Sequence, residues 1–184
     1  MTAMRTRVDT TEEQEWLLLA LDGHEASLLR YAATIVGPAL AADVVQDTFL
    51  KLCTTDRAAI GEHLAAWLFT VCRNRALDLR RAQQRQSGSA DPDLEPSPDS
   101  GPVRKLERRE SMRQVASAID ALPQRYREVL LLKIDAGLSY KQIARIMNLT
   151  VGNVGFILNS ALGRVRAHVE REPQPTERML ARTK

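Results

Sequence analysis

The sequence predicts an all-α protein made of two small helical domains joined by a flexible linker. Apolar residues make up 44% of the chain and aromatics only 4%, a balance suited to helices built on Ala, Leu, Val and Ile. No alternating Val/Thr/Tyr run flanked by hairpin turns occurs, so strand signals are few. A stretch rich in Pro, Gly and Ser interrupts the helical pattern near mid-chain. The 184 residues suit one medium domain or two small ones.

Four helices are expected before residue 86. Thr10 or Thr11 opens the first, which carries Trp16, Leu17, Leu19, Ala20 and Leu21. The second runs from Glu25 to Val36 with Leu28, Leu29, Ala32 and Ile35 on one side, and Gly37-Pro38 ends it. The third runs from Ala39 to Cys53 on Val44, Val45, Phe49, Leu50 and Leu52. A polar loop follows, Thr54 to Glu62. The fourth helix carries Leu64, Trp67, Leu68, Val71 and Cys72 and then turns basic.

Residues 86–103 hold four Pro, two Gly and four Ser. Such a segment cannot bury enough apolar surface to offset its ordering entropy. The linker is placed at 86–104; it reaches about 60 Å fully stretched and about 25 Å relaxed. Beyond it, helices are expected from Lys105 to Leu122 and from Pro123 to Asp135, with Pro123 at a first helical position, where its missing N–H costs nothing. The tail, 173–184, is expected to be disordered.

Cys53 and Cys72 lie nineteen residues apart in apolar helical patterns, with no CxxC and no His cluster nearby, so both are expected to be buried, reduced thiols. His24, His63 and His168 are scattered; no metal and no cofactor are expected. The N-terminus has no apolar core of the signal-peptide kind, and no run approaches eighteen apolar residues. No membrane insertion and a cytoplasmic location are therefore expected.

Charge is unevenly spread. Residues 1–81 carry 9 Lys+Arg against 11 Asp+Glu, 82–103 carry 1 against 4, and 104–184 carry 16 against 8. The basic C-terminal part suits either a nucleic-acid footprint or a solvated helix surface. Ser139 to Arg166 argues for the first, because it has the build of a helix-turn-helix. Ser139 and Gln142 make a capping box. Ile143, Ala144, Ile146 and Met147 recur at helical spacing, and small Ala144 lets two helices cross closely. Asn148 tolerates the positive φ of a sharp turn, and Thr150 can cap the next helix. Val151, Val154, Leu158, Ala161, Leu162 and Val165 give that helix an apolar stripe. Such a pair presents its second helix to the major groove.

The fourth helix adds Arg73, Arg75, Arg80, Arg81 and Arg85 against a single Asp78 in its second half. Arg73, Asn74, Arg80 and Arg81 fall at seven-residue spacings and could line a strip facing phosphates and base edges. The plainer alternative is a soluble helix end favoured by its dipole.

Taken in order, these segments resemble a bacterial RNA polymerase sigma factor of the extracytoplasmic-function type within the sigma-70 family. Asp43-Val-Val-Gln46-Asp47-Thr-Phe49-Leu50 resembles the family's D-x-x-Q-[DE]-x-F polymerase-binding helix. Ala66 to Arg81 is similar to the helix that reads and helps open the −10 promoter element. Leu122 to Leu149 looks like the domain that binds the −35 element. The resemblance implies sigma region 2 over 10–85 and sigma region 4 over 105–172, with core RNA polymerase, promoter DNA and an anti-sigma factor as partners and no small-molecule substrate.

By the same resemblance, Asp43, Gln46, Asp47 and Leu50 meet polymerase, and the loop Thr54 to Glu62 holds an unstacked −10 base. Arg73, Asn74, Arg80 and Arg81 contact the −10 strand. Arg125, Arg127, Lys141, Asn153, Asn159, Ser160 and Arg164 contact the −35 element, with Arg145 and Arg166 as further cations. The departure from the family lies in the recognition helix, where Gly155 to Ser160 carry no Lys, Arg or His and no cation falls between Arg145 and Arg164. Phe156 suits either a thymine methyl or the core. Gly152 and Gly155 either weaken this helix or admit a close approach of the backbone. An alternative is a one-module helix-turn-helix regulator whose N-terminal domain does not bind DNA. An enzyme using Asp43, Asp47 and Asp78, or a helical adaptor, explains less.

Overall fold

The structure, a computed structural model, describes residues 7–87 and 114–171. The linker expected at 86–104 and the tail lie almost wholly outside them. Every regular element among the described residues is α-helical.

Helix α1 is Arg7–Val36, a single helix of 30 residues. The two helices expected on either side of Gly23 are thus one. A lone Gly costs a helix interior only about 1 kcal/mol, no Pro interrupts, and the Ser27 hydroxyl turns back onto the His24 carbonyl at 2.9 Å. Packing on both sides of the glycine, through Ala20, Leu28, Tyr31, Ala32 and Ile35, outweighs that cost. The helix ends as expected: Gly37 takes φ 80° and Pro38 begins α2, Pro38–Cys53.

Helix α2 buries Ala41, Val44, Val45, Thr48 and Leu52. Cys53 falls off that stripe and is exposed, so only Cys72 is a buried thiol; both are free. The loop after it is not irregular throughout, since Arg57–Ile60 form a one-turn helix, α3. Asp56 accepts from the Ala58 amide at 2.9 Å, Ile60 anchors the turn in the core, and Gly61 closes it at φ 57°. Helix α4, Leu64–Ser87, buries Leu68, Phe69, Cys72 and Ala76. Phe69 meets Tyr31 edge-on, with centroids 5.4 Å apart.

In the second domain residues 114–120 are helical and are labelled α5. Helix α6 is Gln124–Ile134; Pro123 caps it from one position further out than expected, with φ −54° and ψ 141°. Helix α7, Tyr140–Met147, opens on the expected capping box and closes on Asn148 at φ 52°, ψ 54°. Helix α8 is Val151–Arg171, and the Thr150 hydroxyl accepts from the Asn153 amide at 3.2 Å. The axes of α7 and α8 differ by 99°, within the range of a helix-turn-helix. Ile143, Ala144, Ile146 and Met147 are all buried. The stripe on α8 is Val154, Ile157, Leu158 and Ala161; Val151 and Leu162, expected in it, are exposed.

The first domain packs α1, α2 and α4 together, and the second packs α6, α7 and α8. They are not held apart. Helix α1 lies against α6 and α4 against α7, and buried residues of both domains join one hydrophobic cluster.

Candidate nucleic-acid interface

Two surfaces carry the residues expected to meet DNA, and the structure treats them differently. The first is the basic half of α4. Arg73 is mostly buried, its side chain 19% exposed, and its Nε donates to Oε2 of Glu128 at 3.1 Å. The Tyr31 hydroxyl donates to the same oxygen at 3.2 Å, and Gln124 Nε2 donates to Oε1 at 3.0 Å. Arg80 Nη1 in turn donates to Gln124 Oε1 at 2.6 Å. Glu128 itself is only 3% exposed. A buried carboxylate has to be paired and hydrogen-bonded to be tolerated, and this one is.

That network joins the domains, because Tyr31, Arg73 and Arg80 belong to the first and Gln124 and Glu128 to the second. At its rim Arg30 pairs with Asp135 at 2.7 Å, and the Tyr31 hydroxyl lies 3.8 Å from the Met147 sulfur. Burial, reinforced by Glu128, pushes the Tyr31 phenol well above its ordinary value, so it stays a proton donor. Two of the four expected −10 residues therefore face the second domain in this arrangement. Asn74 and Arg81 are exposed, and Arg81 pairs with Asp78 one turn away at 3.3 Å.

Tyr31, Gln124 and Glu128 were not among the residues singled out from sequence. A signal existed: Glu128 is a carboxylate immediately before the apolar run Val129-Leu130-Leu131-Leu132, and Tyr31 interrupts the apolar face of α1. Either breach of the pattern marks a polar group needing a buried partner.

On α2, Asp43, Gln46 and Leu50 are exposed, Leu50 at 57%. Asp47 is half-buried and accepts from Arg75 Nε at 2.6 Å, which ties α2 to α4. Arg57, on the α3 spur beside these helices, stacks over Trp16 at 5.1 Å.

The second surface is the helix-turn-helix. Arg125, Lys141, Asn153, Asn159 and Arg164 are exposed and Ser160 is half-exposed. Arg164 lies 5.3 Å over the Tyr126 ring, a contact that holds its charge beside α6. Arg127 is engaged differently: its guanidinium donates to the carbonyls of Ile119, Asp120 and Leu122, closing the end of α5. Phe156 is 65% exposed, which removes it from the core. A Cβ at Gly152 would meet nothing within 4 Å, and one at Gly155 would touch only Tyr140, at 3.7 Å.

Among the described residues no His/Cys/Asp/Glu group could hold a metal ion. No single helix there is long and apolar enough to cross a membrane.

Comparison with known proteins agrees with this division. Residues 21–86 match Sigma-70 region 2 and residues 112–169 match Sigma-70, region 4. The chain is 33% identical to the ECF RNA polymerase sigma factor EcfG of Rhodopseudomonas palustris, over 77% of this chain and 78% of that protein. It is 31% identical to the ECF RNA polymerase sigma factor SigL of Mycobacterium tuberculosis, over 79% of this chain and 84% of that one. The fold matches the sigma factor RpoE of Bartonella quintana, solved with the anti-sigma factor NepR, at a TM-score of 0.63 and 23% identity, covering 89% of this chain and 99% of that chain. A region 2 helical domain, a region 4 helix-turn-helix and these relatives together place the chain in the sigma-70 family, among the ECF RNA polymerase sigma factors.

Proposed function

We propose that this chain is an alternative sigma factor that binds core RNA polymerase and directs initiation at promoters carrying matched −10 and −35 elements. What carries the reading is that one chain holds both DNA-facing parts, an Arg-bearing region 2 helix and a region 4 helix-turn-helix, in the family's order. A one-module regulator leaves the region 2 match unexplained. The protein works in the cytoplasm and makes or breaks no covalent bond; it needs neither cofactor nor small-molecule substrate.

Each part has a role. Asp43, Gln46 and Leu50 present a polar, partly apolar face to the polymerase, and Asp47 braces it through Arg75. The capped α3 spur and Asn74 receive an unstacked −10 base, whose extrusion costs a few kcal/mol. Arg73, Arg80 and Arg81 offset that cost by holding the strand's phosphates. For Arg73 and Arg80 this requires an exchange, since Glu128 and Gln124 occupy them while the domains are packed. Binding polymerase draws the domains onto separate sites and frees both side chains. An anti-sigma factor, the class of protein bound to RpoE in its solved complex, is the partner that keeps the domains of this chain packed. Arg125, Lys141 and Arg164, with Asn153, Asn159 and Ser160, meet the −35 element; Arg127 serves the fold.

Run-off transcription with purified core polymerase on genomic fragments tests the reading. Start-site-specific transcripts are expected only when this chain is added. Their absence, with no inhibitor present, refutes it.

A further inference from the structure

The uncharged middle of α8 has a defined geometry. Val154, Ile157, Leu158 and Ala161 face the core, and Phe156 lies roughly opposite them. Its neighbours one turn away are Gly152, Asn153, Asn159 and Ser160, the first three exposed and the last half-exposed. Phe156, at 65% exposure, is thus the apolar centre of a small polar surface. The position of Gly152 is open space, so nothing crowds the ring on that side. Exposed Lys141, Arg145, Arg164 and Arg166 lie before and after this stretch, where they can take backbone phosphates without entering its centre.

A charge-free face with amides around one aromatic side chain matches one kind of major-groove edge. Adenine offers an acceptor and a donor that asparagine can take together, and thymine offers a C5 methyl group that an apolar side chain can cover. A guanine edge, with two acceptors, is most often taken by Arg or Lys, and the stretch from Met147 to Gly163 has neither.

We infer that Phe156 is a specificity-determining residue that reads the C5 methyl of one thymine in the −35 element, with Asn159 or Asn153 on a neighbouring adenine. The inference rests on the sigma-factor reading and adds which chemistry selects the element. Covering one methyl-sized group is worth about 0.8 kcal/mol, and that converts to about a four-fold preference for thymine over uracil.

The experiment uses the chain bound to core polymerase and a promoter duplex recovered from the run-off assay. Thymines of the −35 element are replaced one at a time by deoxyuridine, which removes only the methyl group. Wild-type holoenzyme is expected to bind one substituted duplex about four-fold more weakly. Phe156→Ala is expected to bind the two duplexes equally while keeping its salt dependence; because the side chain is exposed, its melting temperature should match wild type. Indifference of wild type at every thymine overturns the inference, as does a preference that survives in Phe156→Ala. So does a Phe156→Ala defect seen only in binding a protein partner. A holoenzyme that transcribes from this promoter but gives no −35 footprint also overturns the inference, whereas a run-off assay that yields no promoter refutes the sigma-factor reading itself, so the two failures are distinguishable.

Discussion

The basic half of α4 and the exposed face of α8 are both surfaces expected to face DNA, yet they wait in opposite ways. On α4 the guanidiniums of Arg73, Arg75, Arg80 and Arg81 all have side-chain partners, two of them across the domain junction. On α8 the central residues carry no charge, and Phe156 stands open to solvent. Desolvation explains the difference. A guanidinium drawn toward a packed junction must find acceptors, because an unpaired buried charge is costly, whereas an exposed Phe between amides carries only a modest hydrophobic penalty. The charged surface is therefore coupled to the arrangement of the domains, and the uncharged one is not.

The largest effect should come from removing charge on α4. Arg80→Ala combined with Arg81→Ala is expected to bind core polymerase within about two-fold of wild type but to lose promoter opening by about 100-fold, about 2.7 kcal/mol shared between two charged contacts. Permanganate reactivity of −10 thymines reads this directly; an unchanged pattern removes α4 from the melting step. Next in size is the junction. Glu128→Ala leaves Arg73 without its acceptor, and an uncompensated charge at the packed junction favours separation of the domains. The free chain should expand in X-ray scattering and bind a −10 single strand about tenfold more tightly, because the competent form is no longer rare. Unaltered scattering and affinity would show that the junction does not restrain α4.

A smaller contrast concerns salt. Each phosphate contact contributes about −0.9 to the slope of log affinity against log salt. Lys141→Ala should flatten the slope for −35 duplex by about that amount, and Phe156→Ala should leave it alone. If Phe156→Ala flattened it equally, the split between charged flanks and an uncharged centre would fail. The smallest effect lies inside the first domain. Burial pushes the Cys72 thiol up to about 12 from an ordinary 9.0. The folded chain then holds that proton more tightly, so its contribution to stability is full below pH 9 and is lost as pH rises toward 12. At pH 8 a disulfide reagent should titrate one thiol in the native chain, exposed Cys53, and two in denaturant. Rapid reaction of both would show that the α1–α4 core opens readily.

Much of the second domain was legible because its signals are local. The Ser139–Gln142 box, the left-handed Asn148 and the Thr150 cap each act over three or four residues, and each is formed. The break expected near Gly23 failed for the opposite reason. A single glycine is a weak local signal, and packing along the whole of α1 overrode it. Placing Cys53, Val151 and Leu162 inside went wrong because apolar periodicity gives a face to within a position or two, while burial depends on what the neighbouring helix covers. Arg127 read as a DNA cation, yet it closes a helix end through carbonyls that no charge pattern reveals.

From its residues alone this chain specified helical class, two domains, the turn of its DNA-binding motif and the family to which it belongs. Those properties come from hydrogen-bonding and periodic patterns a few residues long. Tertiary structure alone decided that Arg73 and Tyr31 share the carboxylate of Glu128, across separations of 55 and 97 residues. It also left Phe156 bare. A buried polar contact between distant segments exists only once their surfaces have met, and nothing in either segment read separately specifies its partner.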